Sequence, residues 1–178
     1  MNVFVAGIHG VGKTFLANRL PLGIGLLHTS ASVLIREERA LPEWSAQKNV
    51  SDVDGNQIAL ASAVRRHNEK GTSLLLDGHF VLLDHLGHFV PLAADVFSPL
   101  NIGAVLLVEE SPSVVAERVK NRDSLMREES WLALFMQKER EQAQAVCASL
   151  QIPLEVLSSV NESQFTDAVK KAMNTSGY

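Results

Sequence analysis

The chain is poor in cysteine, in aromatic residues and in excess positive charge. Of its 178 residues 6% are aromatic, and 16 Lys and Arg stand against 20 Asp and Glu. The single cysteine, Cys147, has no partner in the chain for a disulfide, and its spacing from Ala143, Val146 and Leu150 is typical of a thiol packed inside a helix. The net charge of −4 argues against sequence-independent binding of nucleic acid, although it leaves room for a local basic groove.

Long hydrophobic runs are also missing. No apolar stretch approaches the length of a membrane span, and the first residues begin an apolar segment rather than a charged leader. We therefore expect a cytoplasmic protein with no membrane partner. With 46% hydrophobic residues, the chain is long enough for a single packed domain of residues 1–178 and too short for two domains of ordinary size.

The most informative stretch is GIHGVGKT at residues 7–14, which matches the phosphate-binding pattern G-x-x-x-x-G-K-[ST] at every fixed position. Glycines let successive N–H groups converge on phosphate, the lysine reaches the β- and γ-phosphates, and the threonine hydroxyl can bind Mg²⁺. An apolar strand at residues 3–6 precedes the loop, and a helix ended by Pro21 is expected after it. The stretch therefore predicts an ATP or GTP site. Its nucleotide-binding residues would be Gly10, Val11, Gly12, Lys13, Thr14 and Phe15.

Strands and helices alternate along the remainder of the chain. Apolar runs predict strands at residues 25–28, 73–77, 102–108 and 154–157. Helical spacing predicts helices at residues 30–40, 57–70, 128–150 and 162–173, and another opened by Ser111 and Pro112. A hairpin of residues 80–83 and 89–92 is a weaker prediction, and residues 41–56 and 121–127 are expected to be loops that close over bound substrate. This order predicts an α/β fold with a doubly wound parallel sheet, which binds ligands at the carboxyl ends of its strands.

Asp77 stands at the carboxyl end of the predicted strand 73–77. Phosphate-loop proteins place an acidic residue there to hold the magnesium ion. An aspartate before Gly78 could alternatively cap a turn. Given the loop motif, we assign the metal site to Thr14 and Asp77, and we assign catalytic roles to Lys13 and Asp77.

Four segments together resemble the small P-loop nucleoside monophosphate kinases, in particular the adenylate-kinase-like branch. The loop resembles the family's G-x-P-G-x-G-K-T, with His9 in place of the usual proline. The other three segments are SASVLIR at 30–36, similar to S-T-G-D-M-L-R, LDGHF at 76–80, similar to D-G-F-P-R, and ERVKNRD at 117–123, similar to the start of the lid. The chain departs from the family at Ser32 and Val33, where glycine and aspartate are usual, and it lacks an arginine after Gly78.

The resemblance implies ATP and Mg²⁺ as cofactors and a nucleoside monophosphate, AMP first, as acceptor. Ser30 and Arg36 would bind the acceptor, and the lid arginines Arg118 and Arg122 would cover ATP and take part in catalysis, with Arg127 as a third. The residues themselves leave alternatives open. Arg118 and Arg122, four residues apart on one helical face, could instead form a solvated surface, and so could Arg36 among its charged neighbours.

His79 lies two residues after Asp77 and is a candidate for contact with the acceptor or for proton transfer, although a purely structural histidine fits the sequence equally well. We expect an ATP-dependent phosphotransferase whose acceptor is a small molecule, most simply a nucleoside monophosphate. One alternative is an ATPase switch or assembly factor that acts on a macromolecule. Another is a kinase for a non-nucleotide metabolite or a nucleic-acid end.

Overall fold

In the computed structural model, which describes residues 1–40, 52–123 and 127–175, the centre is a sheet of five parallel strands. These strands are β1 (Asn2–Ala6), β2 (Leu26–Ser30), β3 (Ser73–Asp77), β6 (Ile102–Glu109) and β7 (Leu154–Ser158), in the order β2-β3-β1-β6-β7. A separate antiparallel hairpin is formed by β4 (Val81–Leu83) and β5 (Phe89–Pro91). The parallel sheet and the hairpin predicted from the sequence are both present.

Helices cover both faces of the sheet. They are α1 (Lys13–Ala17), α2 (Ala31–Arg39), α3 (Asp52–Glu69), α4 (Ala94–Phe97), α5 (Pro112–Asp123), α6 (Glu129–Leu150) and α7 (Glu162–Thr175), and a 3₁₀ turn, Ser98–Leu100, follows α4. None of the described helices is long and apolar enough to cross a membrane.

The side chains of β1 divide the core into two layers, because successive residues of a strand point to opposite faces. Val3 and Val5 pack in one layer, which also contains residues of α5 and α7, whereas Phe4 and Ala6 pack in the other, which contains residues of α2 and α3. Helix α6 contributes to both layers. Cys147 is buried in the second layer, where burial raises the pKa of its thiol to about 11, so this cysteine is a packing residue as expected.

Local signals account for most element boundaries. The Ser30 hydroxyl accepts a hydrogen bond from the Val33 N–H at 3.3 Å and caps α2, and Ser111 caps α5 in the same way. Gly71 has a φ of +76° just after α3, a backbone conformation that favours glycine at the end of a helix.

Several helices differ from the predicted bounds: α1 ends at Ala17, short of Pro21, and α7 extends to Thr175. Helix α3 begins at Asp52 rather than at residue 57, since Gly55 is tolerated within a helix that docks on α2 through the Arg39–Asn56 hydrogen bond of 2.7 Å. Helix α5 continues to Asp123, three residues into the predicted interruption at residues 121–127. Residues 41–51 of the predicted loop 41–56, and residues 124–126 of the predicted loop 121–127, lie outside the described residues, so loop closure stays a prediction.

Candidate active site

The phosphate-binding loop joins β1 to α1 and passes directly against β6. Gly7 adopts a φ of +135°, and a Cβ atom on it would lie 2.3 Å from the Val108 carbonyl oxygen. Gly10 adopts a φ of +91°, with Val119 and Val115 of α5 against it. Glycine is therefore required at both positions, by backbone conformation and by the space between strand, loop and helix.

Lys13, Thr14 and Asp77 meet at the carboxyl ends of β1 and β3. The Lys13 ammonium donates hydrogen bonds to the carbonyls of Gly7 and, at 3.4 Å, Ile8, and it lies 3.5 Å from Asp77 Oδ1. The Thr14 hydroxyl donates to Asp77 Oδ2 at 3.2 Å. Asp77 reaches this place because β3 runs parallel to β1 with Val5 opposite Asp77.

The hydroxyl of Thr14 and the carboxylate of Asp77 are hard oxygen ligands of the kind that Mg²⁺ takes. No group of three or more His, Cys, Asp or Glu side chains that could hold a metal ion occurs in the described part of the chain. Mg²⁺ usually has one or two protein ligands and completes its shell with phosphate oxygens and water. The two side chains therefore fit a magnesium ion that arrives with a nucleotide.

Arg118 of α5 lies against the opposite side of the loop. Its guanidinium donates to the carbonyl oxygens of Gly10 at 3.3 Å and Val11 at 3.1 Å, and it lies 3.5 Å from the Glu110 carboxylate. Hydrogen bonds from Ser159 and from the Ser111 N–H lower the pKa of Glu110, with a further contribution from the Arg118 charge. An arginine of α5 thus contacts the phosphate-binding loop directly.

A cavity of about 650 Å³ opens beside these groups. At one end it is lined by the loop, Lys13, Thr14, Asp77 and Arg118. From there it extends between β2, α2, α3, the hairpin and α4, and the residues lining this second part are mostly apolar. A volume of this size is typical of sites for small organic ligands.

A second, smaller cleft of about 380 Å³ lies on the other side of Arg118. It is bounded by the loop, by Glu109 and Glu110 at the end of β6, and by residues 160–162 at the start of α7. Gly12, Phe15 and Arg118 line both the cavity and this cleft. The two openings are therefore contiguous with the same phosphate-binding loop.

His79 lies in the wall of the larger cavity, 16% exposed. Burial, with the nearby charge of Lys13 and with His9, lowers the pKa of its imidazole to about 2, although a hydrogen bond to Gly7 opposes this shift. The rings of His9 and His79 are 4.5 Å apart between centroids. His79 is therefore neutral at ordinary pH, which makes it a hydrogen-bonding group rather than a strong base.

Glu139 is an unpredicted part of the site. It is 1% exposed, and its carboxylate accepts hydrogen bonds from the N–H groups of Gly7 at 3.3 Å, Phe80 at 2.9 Å and Val81 at 2.7 Å. Burial raises the pKa of this carboxyl, and the three N–H groups and the Lys13 charge oppose the rise. One buried acid of α6 thus connects the start of the phosphate loop to the hairpin.

The sequence contained a signal for Glu139. It stands on the apolar stripe formed by Leu132, Phe135, Ala143 and Val146, all of which are buried on α6. An ionisable residue at a core position of an amphipathic helix needs polar partners, so the spacing alone singles it out.

Of the proposed acceptor and lid residues, Ser30, His79 and Arg118 line the cavity. Arg36 is exposed on α2 and is not among the lining residues, and the exposed Arg127 places its guanidinium 4.7 Å over the Trp131 ring. The side chain of Arg122 is not among the side chains that the structure describes. The roles of these three arginines stay predictions.

Comparison with known proteins agrees with this architecture. A family model described as an AAA domain matches residues 6–132. A search of curated protein sequences finds no match. The solved structures that resemble the chain include a sugar kinase from Janibacter sp. HTCC2649, with 18% identity, a TM-score of 0.55 and coverage of 98% of this chain and 94% of that one.

Two other solved structures have similar scores. An uncharacterized protein from Eubacterium ventriosum has 13% identity and a TM-score of 0.54, covering 98% of this chain and 99% of that one. A candidate kinase from Chloroflexus aurantiacus has 15% identity and a TM-score of 0.53, covering 96% of this chain and 97% of that one. At such low identity these similarities establish a P-loop kinase-like α/β fold.

Proposed function

This chain belongs to the AAA domain family, and we propose that it transfers the γ-phosphoryl group of ATP to a small-molecule acceptor. The observation that carries the proposal is the continuity of the 650 Å³ cavity from the phosphate loop into a second region between α2, α3 and the hairpin. A protein that only hydrolyses ATP needs room for water at the γ-phosphate. The additional room supports a second substrate beside it.

The residues at the loop supply the positive charge and the positioning that phosphoryl transfer requires. Lys13 would exchange its carbonyl partners for the β- and γ-phosphates, and Arg118 is already placed to reach them from α5. Thr14 and Asp77 would hold Mg²⁺, which neutralises phosphate charge when bound. The loop N–H groups would bind the remaining phosphate oxygens.

The smaller cleft is the place that we propose for the base of ATP. It opens from the loop past Gly12 and Phe15, and Arg118 forms part of its wall, where a guanidinium can stack on a planar base. Asn161 supplies a polar group in the same cleft. With the base there, the triphosphate would point along the loop toward the larger cavity.

The acceptor would occupy the region of the cavity beyond Asp77 and His79. A nucleoside monophosphate in this position is supported only by the resemblance to nucleoside monophosphate kinases. Its phosphate needs a cationic partner, and Arg36, the residue predicted for that role, lies outside the lining.

The test is a coupled assay of ADP production from Mg-ATP with a panel of acceptors, run beside a blank without acceptor. Lys13→Ala should abolish acceptor-dependent turnover. Lys170→Ala, the same change at an exposed lysine of α7, should leave it unaltered. Hydrolysis that no acceptor stimulates would contradict phosphotransfer and favour the ATPase switch.

A further inference from the structure

The acceptor end of the cavity is mainly apolar. Its walls are formed by side chains of α3, β4, α4 and the 3₁₀ turn and by the residue that follows β5. They include Leu60, Leu82, Leu92, Val96, Phe97 and Leu100. Phe97 also packs on Phe4, a second lining residue, with the ring centroids 5.5 Å apart. An apolar and partly aromatic wall gains free energy when it covers an apolar or planar ligand surface.

Positive charge is concentrated at the other end. Among the described residues that line the cavity, Lys13 and Arg118 are the only Lys or Arg side chains, and both contact the phosphate loop. In the proposed reaction, both side chains are needed at the loop to bind the phosphates of ATP. The described acceptor end thus has no guanidinium or ammonium to pair with an acceptor phosphate, and an unpaired anion in an apolar wall is strongly disfavoured.

Two buried polar atoms of the lining have no hydrogen-bond partner in the described structure. They are Oε1 of Gln57, on α3, and Nδ1 of His79. Neither is paired although the great majority of buried polar atoms in proteins have a partner. Nδ1 of His79 lies 3.9 Å from the buried Glu139 carboxylate, whereas a ligand hydroxyl or N–H group could supply the bond that the Gln57 oxygen lacks.

We propose that the acceptor is an uncharged alcohol with an apolar or planar body, a class that includes nucleosides and aromatic alcohols. This inference rests on the phosphotransfer proposed above. The body lies against Leu82 and Phe97, and a polar group of the acceptor donates a hydrogen bond to the Gln57 carbonyl.

The reaction is then the formation of a phosphate ester. The acceptor hydroxyl oxygen forms a bond to the γ-phosphorus, the bond from that phosphorus to the β–γ bridging oxygen breaks, and ADP leaves with the electron pair. The hydroxyl proton passes to water. His79 lines the cavity beside Asp77 and can contact the acceptor, but the transfer does not require it to carry the proton.

The experiment compares matched pairs of ligands that differ only in charge. Each nucleoside and its 5′-monophosphate are titrated calorimetrically into the protein loaded with a non-hydrolysable ATP analogue, and the same compounds are tested for transfer from Mg-ATP. Aromatic alcohols and hexoses complete the panel. We expect at least one nucleoside or aromatic alcohol to bind about tenfold or more tightly than any monophosphate, and to be phosphorylated.

Gln57→Leu tests the proposed contact. It removes the unpaired carbonyl and keeps the side-chain size, so the fold should be retained. We expect the KM for the acceptor to rise about tenfold with the KM for ATP unchanged, the size of effect that loss of one ligand hydrogen bond produces. Gln144→Leu, the same change at an exposed glutamine of α6, should alter neither KM.

Each other outcome identifies which proposal fails. Preferred transfer to a monophosphate, or to a hexose with no apolar body, would overturn the acceptor class and leave phosphotransfer standing. An unchanged acceptor KM in Gln57→Leu would overturn the contact. ATP binding with neither acceptor binding nor transfer would overturn the acceptor class together with the proposed function.

Discussion

Replacing Glu139 tests whether one buried acid holds the phosphate loop and the hairpin together. In Glu139→Ala the N–H groups of Gly7, Phe80 and Val81 all lose their acceptor. An unpaired buried donor costs about 1–3 kcal/mol. Three unpaired donors would cost about 3–9 kcal/mol. Removing the Glu139 carboxylate also removes the cost of burying it, which its raised pKa reflects. We therefore expect the free energy of unfolding to fall by about 4 kcal/mol.

Glu139→Gln separates the hydrogen bonds from the packing. Its single carbonyl oxygen can replace Oε1, which accepts from Gly7 and Phe80, while the amide N–H₂ faces the Val81 N–H without accepting from it. One donor is then unpaired, so we expect a loss of about 1–3 kcal/mol, clearly less than for alanine. Both values are measured as changes in the free energy of unfolding in urea.

The control for both variants is Glu141→Ala, two residues further along α6, where the carboxylate is exposed and bonds to Gln137 and Lys138. It should change stability by less than about 0.5 kcal/mol. If Glu139→Ala costs no more than this control, or if alanine and glutamine cost the same, the three hydrogen bonds do not contribute as described.

Two further predictions concern His79 and the loop glycines. The pKa of His79 falls to about 2 in the folded state from 6.5, so the unfolded chain binds the proton more tightly and stability declines as the pH falls below 6.5. Between about pH 7.5 and pH 5.5 the loss should be about 1 kcal/mol larger in the wild type than in His79→Gln, which keeps the contribution of His28, whose pKa is also lowered by burial. Equal pH dependence of the two proteins in urea unfolding would refute this prediction. Gly7→Ala should destabilise the fold by about 3 kcal/mol or more, because the new Cβ would clash with the Val108 carbonyl. Its control, Gly23→Ala, has a φ of +83° and no neighbour within 4 Å, so it should cost only about 1 kcal/mol. Similar melting temperatures for the two variants would show that the clash is relieved.

The sequence allows the phosphate end of the site to be predicted because its determinants are local. The pattern at residues 7–14 specifies a loop between a strand and a helix, and Asp77 ends an apolar run. Parallel pairing of β1 and β3 then brings the two together without further assumptions. The lengths of helices were less predictable, since α3 gains its first turn from contacts with α2 that no local pattern reveals.

The acceptor end could not be predicted in this way because its residues come from separate segments. Motif similarity selected Arg36, yet the residues of α2 that line the cavity are Ala31, Ser32 and Ile35. Arg36 is exposed on the same helix and is not part of the lining. Gln57 lacks any motif and was recognised only from its unpaired oxygen in the folded chain.

The strand order has a consequence for how the protein is made. Strand β1 is the first to be synthesised, but its neighbours in the sheet are β3 and β6, the latter ending at Glu109. The ribosome adds about 5–20 residues per second, so about 5–20 seconds pass between synthesis of the apolar segment at residues 3–6 and completion of β6, its second neighbouring strand. During that interval it is a target for chaperones and for misassociation, and we infer that folding of the central sheet follows, rather than accompanies, synthesis of residues 1–109.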